Sequence, residues 1–154
     1  MINPCPKPPK KVKQRKGLSV KTAIRAMSKS PSARACKIAD ALWAIAVKLE
    51  AKGRCQVPNC GGPAQDSHHV VTRSVRHLRH DVHENGIALC FNHHVGQLYS
   101  AHKKPAWFEG VLIKLMGQTR YDALQLRSER YEKPDYQSRI IELKQIINEL
   151  EGKQ

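Results

Sequence analysis

Residues 55–94 read CQVPNCGGPAQDSHHVVTRSVRHLRHDVHENGIALCFNHH, and the spacing of cysteine and histidine in this stretch decides the fold. Cys55 and Cys60 are separated by four residues and are followed by Gly61, Gly62 and Pro63. Pro58 and the two glycines favour a tight turn, which lets two sulfurs point at one ion. Further on, Cys90-Phe-Asn-His93 supplies a second pair separated by two residues. Three thiols and an imidazole suit tetrahedral Zn²⁺, and four protein ligands leave no open position for chemistry. Such an ion contributes roughly 10–16 kcal/mol to small zinc-dependent folds. The plain alternative, buried free cysteines of an ordinary core, fits poorly with the polar and turn-forming neighbours of Cys55 and Cys60.

Between and after the two pairs lie His68, His69, His77, His80, His83 and His94, with Asn85 among them. A single zinc does not use so many imidazoles. Adjacent His68 and His69 on a strand point to opposite sides, so they serve two tasks. One can bind a catalytic cation while the other, nearer a scissile phosphate, takes a proton from the attacking water, because imidazole has its pKa near working pH.

Outward from this stretch the pattern is helical. From Ser32 to about Lys52, Ile38, Leu42, Ile45 and Leu49 recur at helical spacing, Trp43 and Val47 thicken that side, and Gly53 ends the run. Pro105 suits a first helical position, and Trp107, Phe108, Val111, Leu112 and Leu115 follow up to Gly117. A short helix is expected over about Asp122–Arg130. A last helix follows Pro134, with Ile140, Leu143, Ile147 and Leu150 forming a short seam that either packs on its own domain or joins two copies in a homodimer. The expected organisation is a basic arm over 1–17, a helical segment over 18–53, the cysteine and histidine module over 54–103, and a helical extension over 104–154. This is an α+β chain.

The formal net charge is +14, and no acidic residue precedes Asp40. A polyanionic partner is implied, with DNA foremost. The proline- and lysine-rich residues 1–17 have little to bury and are expected to be disordered. There Lys10, Lys11, Lys13, Arg15 and Lys16 can contact phosphates and gain affinity by counterion release. Arg73, Arg76 and Arg79 precede Asn85 and can clamp neighbouring phosphates or simply solvate a basic loop. No stretch has the length and apolarity of a membrane span, and nothing reads as a signal peptide, so a soluble cytoplasmic protein with no membrane partner is expected. Five cysteines, an odd number, favour metal ligation by a subset over a disulfide framework.

The order Cys55-x4-Cys60, Ser67-His68-His69-Val70, then Asn85-Gly-Ile-Ala-Leu-Cys90-Phe-Asn-His93-His94 resembles the HNH endonucleases of the ββα-metal fold. With Leu78-Arg79-His80-Asp81 and the helical extension, it is similar to phage-type HNH proteins, including the NinG-like recombination proteins. The match covers about 50 residues. It implies a small zinc-stabilised ββα-metal module flanked by α-helices, acting in a bacterial or phage-infected host cytoplasm. By this resemblance His69 takes the general-base position, His68 the metal-ligand position before it, Asn85 the central asparagine, and His94 the second histidine on the helix. His93 stands where many members have cysteine, so either His93 or His94 can serve the zinc; the spacing from Cys90 assigns it to His93. His102 is a further candidate ligand or phosphate contact.

The expected activity is metal-dependent hydrolysis of DNA phosphodiesters. His68 and His94, helped by the Asn85 carbonyl, would hold a divalent ion such as Mg²⁺, Mn²⁺ or Ni²⁺, and His69 would activate water. The alternative is a zinc-stabilised DNA-binding module without catalysis, which would leave the extra histidines without a task. An RNA-binding zinc knuckle is a third reading. Aromatic residues make up only 5% of the chain, few platforms for stacked bases.

Overall fold

The computed structural model describes residues 30–152, so the expected phosphate contacts Lys10, Lys11, Lys13, Arg15 and Lys16 lie outside the described residues. The described chain runs through helix α1 (Pro31–Glu50), strands β1 (Asp66–His69) and β2 (Gly86–Leu89), a π-helical turn (Asn92–Gly96), then α2 (Pro105–Met116), α3 (Gln118–Ser128) and α4 (Tyr136–Glu151). The α+β class and the small two-stranded sheet match expectation. None of the described helices is long and apolar enough to cross a membrane.

The strands pair antiparallel, with Asp66 opposite Leu89, Ser67 opposite Ala88, His68 opposite Ile87 and His69 opposite Gly86. Because side chains alternate along a strand, β2 feeds two cores. Ile87 and Leu89 pack with Phe108, Val111 and Leu112 of α2 and with Cys55 and Val57. Ala88 packs with Ala39, Trp43, Ala46 and Val47 of α1 and Leu143 of α4. Two strands are too few to be stable alone, and helices on both faces supply the missing burial.

Helix α1 buries a face shifted from the expected one. Trp43 and Val47 are buried as expected and Leu42 packs beside them, but Ala35, Ala39 and Ala46 complete the buried side while Ile38 and Ile45 are exposed. Spacings of four and three define both stripes equally well. The stripe of small residues turns inward because it lets α4 approach closely. Gly86 marks a similar approach to the sheet: a Cβ there would overlap Val47 Cγ2 and stand 2.7 Å from the Val82 carbonyl oxygen. Gly86→Ala is therefore expected to destabilise the protein by roughly 1–3 kcal/mol, seen as a lower denaturant midpoint at unchanged slope. A wild-type midpoint would mean that α1 can back away.

The ends of the helices follow their chemistry. Lys52 and Gly53 adopt positive φ where α1 stops. Pro105 opens α2 and Gly117 closes it. Helix α3 begins directly after Gly117, four residues before the expected start, so α2 and α3 are joined by a single glycine. The Asp135 carboxylate caps α4 by accepting from the backbone N–H groups of Gln137 and Ser138. Of the α4 seam, Leu143 is buried against α1 with Ile140 and Ile147 beside it. The side read as a possible dimer seam is thus packed within its own chain.

Candidate metal and histidine centre

Residues 54–63 form a short hairpin loop. Arg54 bridges to Pro63, the Cys55 N–H donates to the Gly62 carbonyl, and Asn59 and Gly61 take the left-handed backbone that the reversal needs. This loop carries Cys55 and Cys60 toward the end of β2, where Cys90 leads into the π-helical turn bearing His93. The four ligand atoms lie within 4.8 Å of one another. Cys60 Sγ is 3.8 Å from Cys90 Sγ, and His93 Nδ1 is 3.5 Å from Cys55 Sγ and 3.3 Å from Cys90 Sγ. Tetrahedral zinc bonds place two sulfurs about 3.8 Å apart and a sulfur and a nitrogen about 3.5 Å apart. The donor set and spacing therefore fit a structural ion such as zinc. Burial pushes the Cys55 thiol up to about 11. Burial also raises Cys90, but the backbone N–H groups of His93 and Asn92 and the neighbouring thiols bring it below its ordinary value. A cation is what would let these sulfurs ionise together.

A second cluster comprises His68, His94 and His102, again with ligand atoms within 4.8 Å. His94 and His102 bring their Nε2 atoms to 3.1 Å, and the His68 ring stands edge-on to both and to Phe108. His94 Nδ1 lies 3.1 Å from an Asp66 carboxylate oxygen. A carboxylate only accepts, so this nitrogen carries the proton and Nε2 presents its lone pair. Two imidazole nitrogens bound to one ion at 2.0–2.1 Å stand about 2.9–3.4 Å apart, so this set also fits a cation. Burial, followed by the neighbouring imidazoles, pushes His68 down to about 4.

The π-helical turn explains how consecutive histidines reach different clusters. The Gln97 N–H bonds the Asn92 carbonyl five residues back, which widens the turn. His93 then faces the sulfurs, with Trp107 stacked on it at 6.1 Å, and His94 faces His68. The backbone N–H groups of Ala101 and His102 return to the carbonyls of His93 and His94, which brings His102 alongside.

His69 points to the other side of β1. Its ring stacks on Trp43 at 3.8 Å, and its Nε2 lies 2.9 Å from the Arg79 carbonyl oxygen. The carbonyl can only accept, so Nε2 carries the hydrogen and Nδ1 is the basic nitrogen. Burial pushes His69 down to about 4, reinforced by Arg73 and Arg79 and opposed by the Arg79 carbonyl and Asp40. His68, His69, Arg73, His94 and His102 all line one open cleft of about 650 Å³.

Three expected site residues do other work. Asn85 is fully buried: its Oδ1 accepts from the Val71 N–H at 2.5 Å and its Nδ2 donates to the Leu78 carbonyl at 2.8 Å. Its carbonyl is thus engaged in bracing the 70–84 loop rather than free to help hold an ion. Arg79 donates through Nε and Nη2 to both Asp40 oxygens at 2.7 Å, so its guanidinium is committed within the fold. Burial raises Asp40, but hydrogen bonds from Arg79 and His80 hold it below the usual carboxylate value. Arg76 lines a different recess, with Asp135, Tyr136 and Glu142. His77, His80 and His83 bond Arg127, Asp40 and Glu50 respectively, outside the cleft. Asp81 fixes the loop by accepting from the Glu84 N–H and from Arg127.

Sequence reasoning missed Trp43 and Asp66 as partners of the site histidines. Asp66 sits two residues before His68, and an acidic residue at that distance along a strand was the available signal. No protein-family model, curated protein or solved structure matches this chain.

Proposed function

We propose that this protein is a metal-dependent endonuclease of the HNH, ββα-metal type that hydrolyses DNA phosphodiesters. The observation that carries the reading is a neutral imidazole, His69, held by the Arg79 carbonyl in the same cleft as three converging imidazoles. A purely structural zinc protein has no use for that second, open set. His68, His94 and His102 would hold the divalent ion, His102 taking the place first expected of Asn85. When bound, the ion neutralises charge developing on the phosphate and the departing 3′ oxygen. Imidazoles bind Mn²⁺, Ni²⁺ or Zn²⁺ more strongly than Mg²⁺, so affinity does not name the ion that supports activity.

His69 takes the proton of the attacking water on Nδ1 while Nε2–H stays on the Arg79 carbonyl, and Trp43 keeps the ring from turning. Asp66 orients His94. Arg73, lining the same cleft, is the guanidinium suited to a neighbouring phosphate. The net charge of +14 favours accumulation on DNA.

Purified protein is expected to nick or cut plasmid DNA with Mg²⁺, Mn²⁺ or Ni²⁺. His69→Ala and His69→Phe should each lower the rate by roughly 10²- to 10⁴-fold with unchanged zinc content and circular dichroism. The phenylalanine keeps a ring on Trp43 while removing the base and its hydrogen bond to the Arg79 carbonyl. Wild-type rates in these variants would take His69 out of the chemistry. A wild-type protein that binds DNA but never cuts, across all these ions and linear, flap and four-way-junction substrates, would be the non-catalytic zinc-stabilised module.

A further inference from the structure

The segment that delivers His94 and His102 to the cleft also carries exposed rings that the hydrolytic chemistry leaves unused. Four of the eight aromatic residues fall between Phe91 and Phe108. Trp107 and Phe108 are turned toward His93 and His68. Phe91, Leu98 and Tyr99 instead stand more than half exposed. They are held there: the Phe91 ring lies over Gly96, where an added Cβ would come within 2.9 Å of it, and the Phe91 N–H donates to Gln65 Oε1. Gln97 donates to the Tyr99 carbonyl, and the Tyr99 ring meets the edge of Trp107 at 5.9 Å. Positive charge accompanies the rings. Lys104 Nζ stands 5.9 Å from the Tyr99 ring centre, and Lys103 Nζ is fastened to the Gly96 carbonyl at 3.0 Å.

Rings exposed singly are ordinary. Rings and lysines on one loop that ends in a cleft histidine make a surface with two chemistries, an apolar face for bases and ammonium groups for phosphates. We propose that Phe91 and Tyr99 form a stacking platform for the unpaired bases of single-stranded DNA, seating a strand that leads into the histidine cleft. A duplex hides its base faces and can offer this loop only phosphates, whereas an unpaired strand offers both. The overall aromatic content is low, but its concentration beside the cleft supplies the platform that the average conceals. This substrate class rests on the nuclease reading for its purpose, though not for its binding test.

The test is equilibrium binding of a labelled oligothymidine and a blunt duplex of equal length to the full chain, by fluorescence anisotropy without added divalent ion. The Phe91→Ala/Tyr99→Ala double variant should lose about tenfold in oligothymidine affinity for each ring removed and keep its duplex affinity within about threefold. Tyr99→Ala alone, which leaves Phe91 in place beside Cys90, gives the same reading if the double variant loses its zinc. An equal loss on both DNAs, or no loss on either, overturns the platform. So does a concentration-dependent dimer of the wild type that the double variant dissolves, which would give the rings to a second copy of the chain. If the wild type cuts no DNA yet the variants show the selective loss, the platform stands and only the nuclease reading falls.

Discussion

Cys60→Ala is expected to yield a chain that holds no tightly bound zinc and has lost its cooperative melting transition. The 54–63 hairpin loop is closed by a handful of backbone hydrogen bonds and buries only Cys55 and Val57. Apart from two hydrogen bonds between Gln56 and Ala88, its attachment to the end of β2 and the π-helical turn runs through the four-ligand cluster. An ion worth roughly 10–16 kcal/mol in small zinc folds compares with a total stability of about 5–15 kcal/mol for a domain. Removing a ligand therefore removes most of the margin, and melting should fall by more than about 20 °C if any transition survives. Residual helix is expected even so, because α1 and α4 share a core of Trp43, Val47 and Leu143 that does not touch the sulfurs. Elemental analysis gives the zinc, and thermal melting by circular dichroism gives the stability. A metal-free protein that melts at the wild-type temperature would end the structural role.

The second large effect is at Asn85. Asn85→Ala leaves the Val71 N–H without its partner, takes from the Leu78 carbonyl one of its two donors while the Asp81 N–H remains, and opens a small void between them. The orphaned N–H costs about 1–3 kcal/mol and the lost bond to Leu78 about 1 kcal/mol, so a total loss of roughly 2–4 kcal/mol follows. Activity should fall further than stability requires. Val71 follows His69 by two residues and Leu78 precedes Arg79, whose carbonyl holds the His69 ring. On the proposed mechanism Asn85 is thus a positioning residue for His69. In conditions where the variant is fully folded, cleavage should drop in kcat more than in KM, and extra divalent ion should not restore it. Rescue by high metal concentration would instead make Asn85 an ion ligand.

The parts legible in the sequence were those with local spacing. Cys-x4-Cys and Cys-x2-His convey a ligand set directly, because a turn of that length can point two donors one way. Pro105 and Gly117 marked both ends of α2 by their backbone preferences alone. The buried side of α1 was legible only in part, at Trp43 and Val47. Its isoleucines and its alanines have the same period, and only the closeness of α4 and Gly86 decides between them. Nor were the pairings of Asp40 with Arg79, Trp43 with His69 and His94 with His102, which join residues far apart or across an irregular loop. Asn85 was read as chemistry because the resemblance to the HNH endonucleases put it at the central asparagine. Its complete burial gave it a structural task that only the path of the 70–84 loop reveals.

The π-helical turn that sends His93 one way and His94 the other has a practical consequence for anyone measuring this protein. The sulfur set and the imidazole set share adjacent residues on one five-residue element. If both sets are loaded as proposed, a strong chelator that empties the sulfur set would release His93 and loosen the turn that aims His94. Quenching by such a chelator would then report the combined loss of both ions, at the rate of the slower one. A weak chelator, or dilution into ion-free buffer, would empty the imidazole set while leaving the thiolates loaded, and the two ions could then be counted separately.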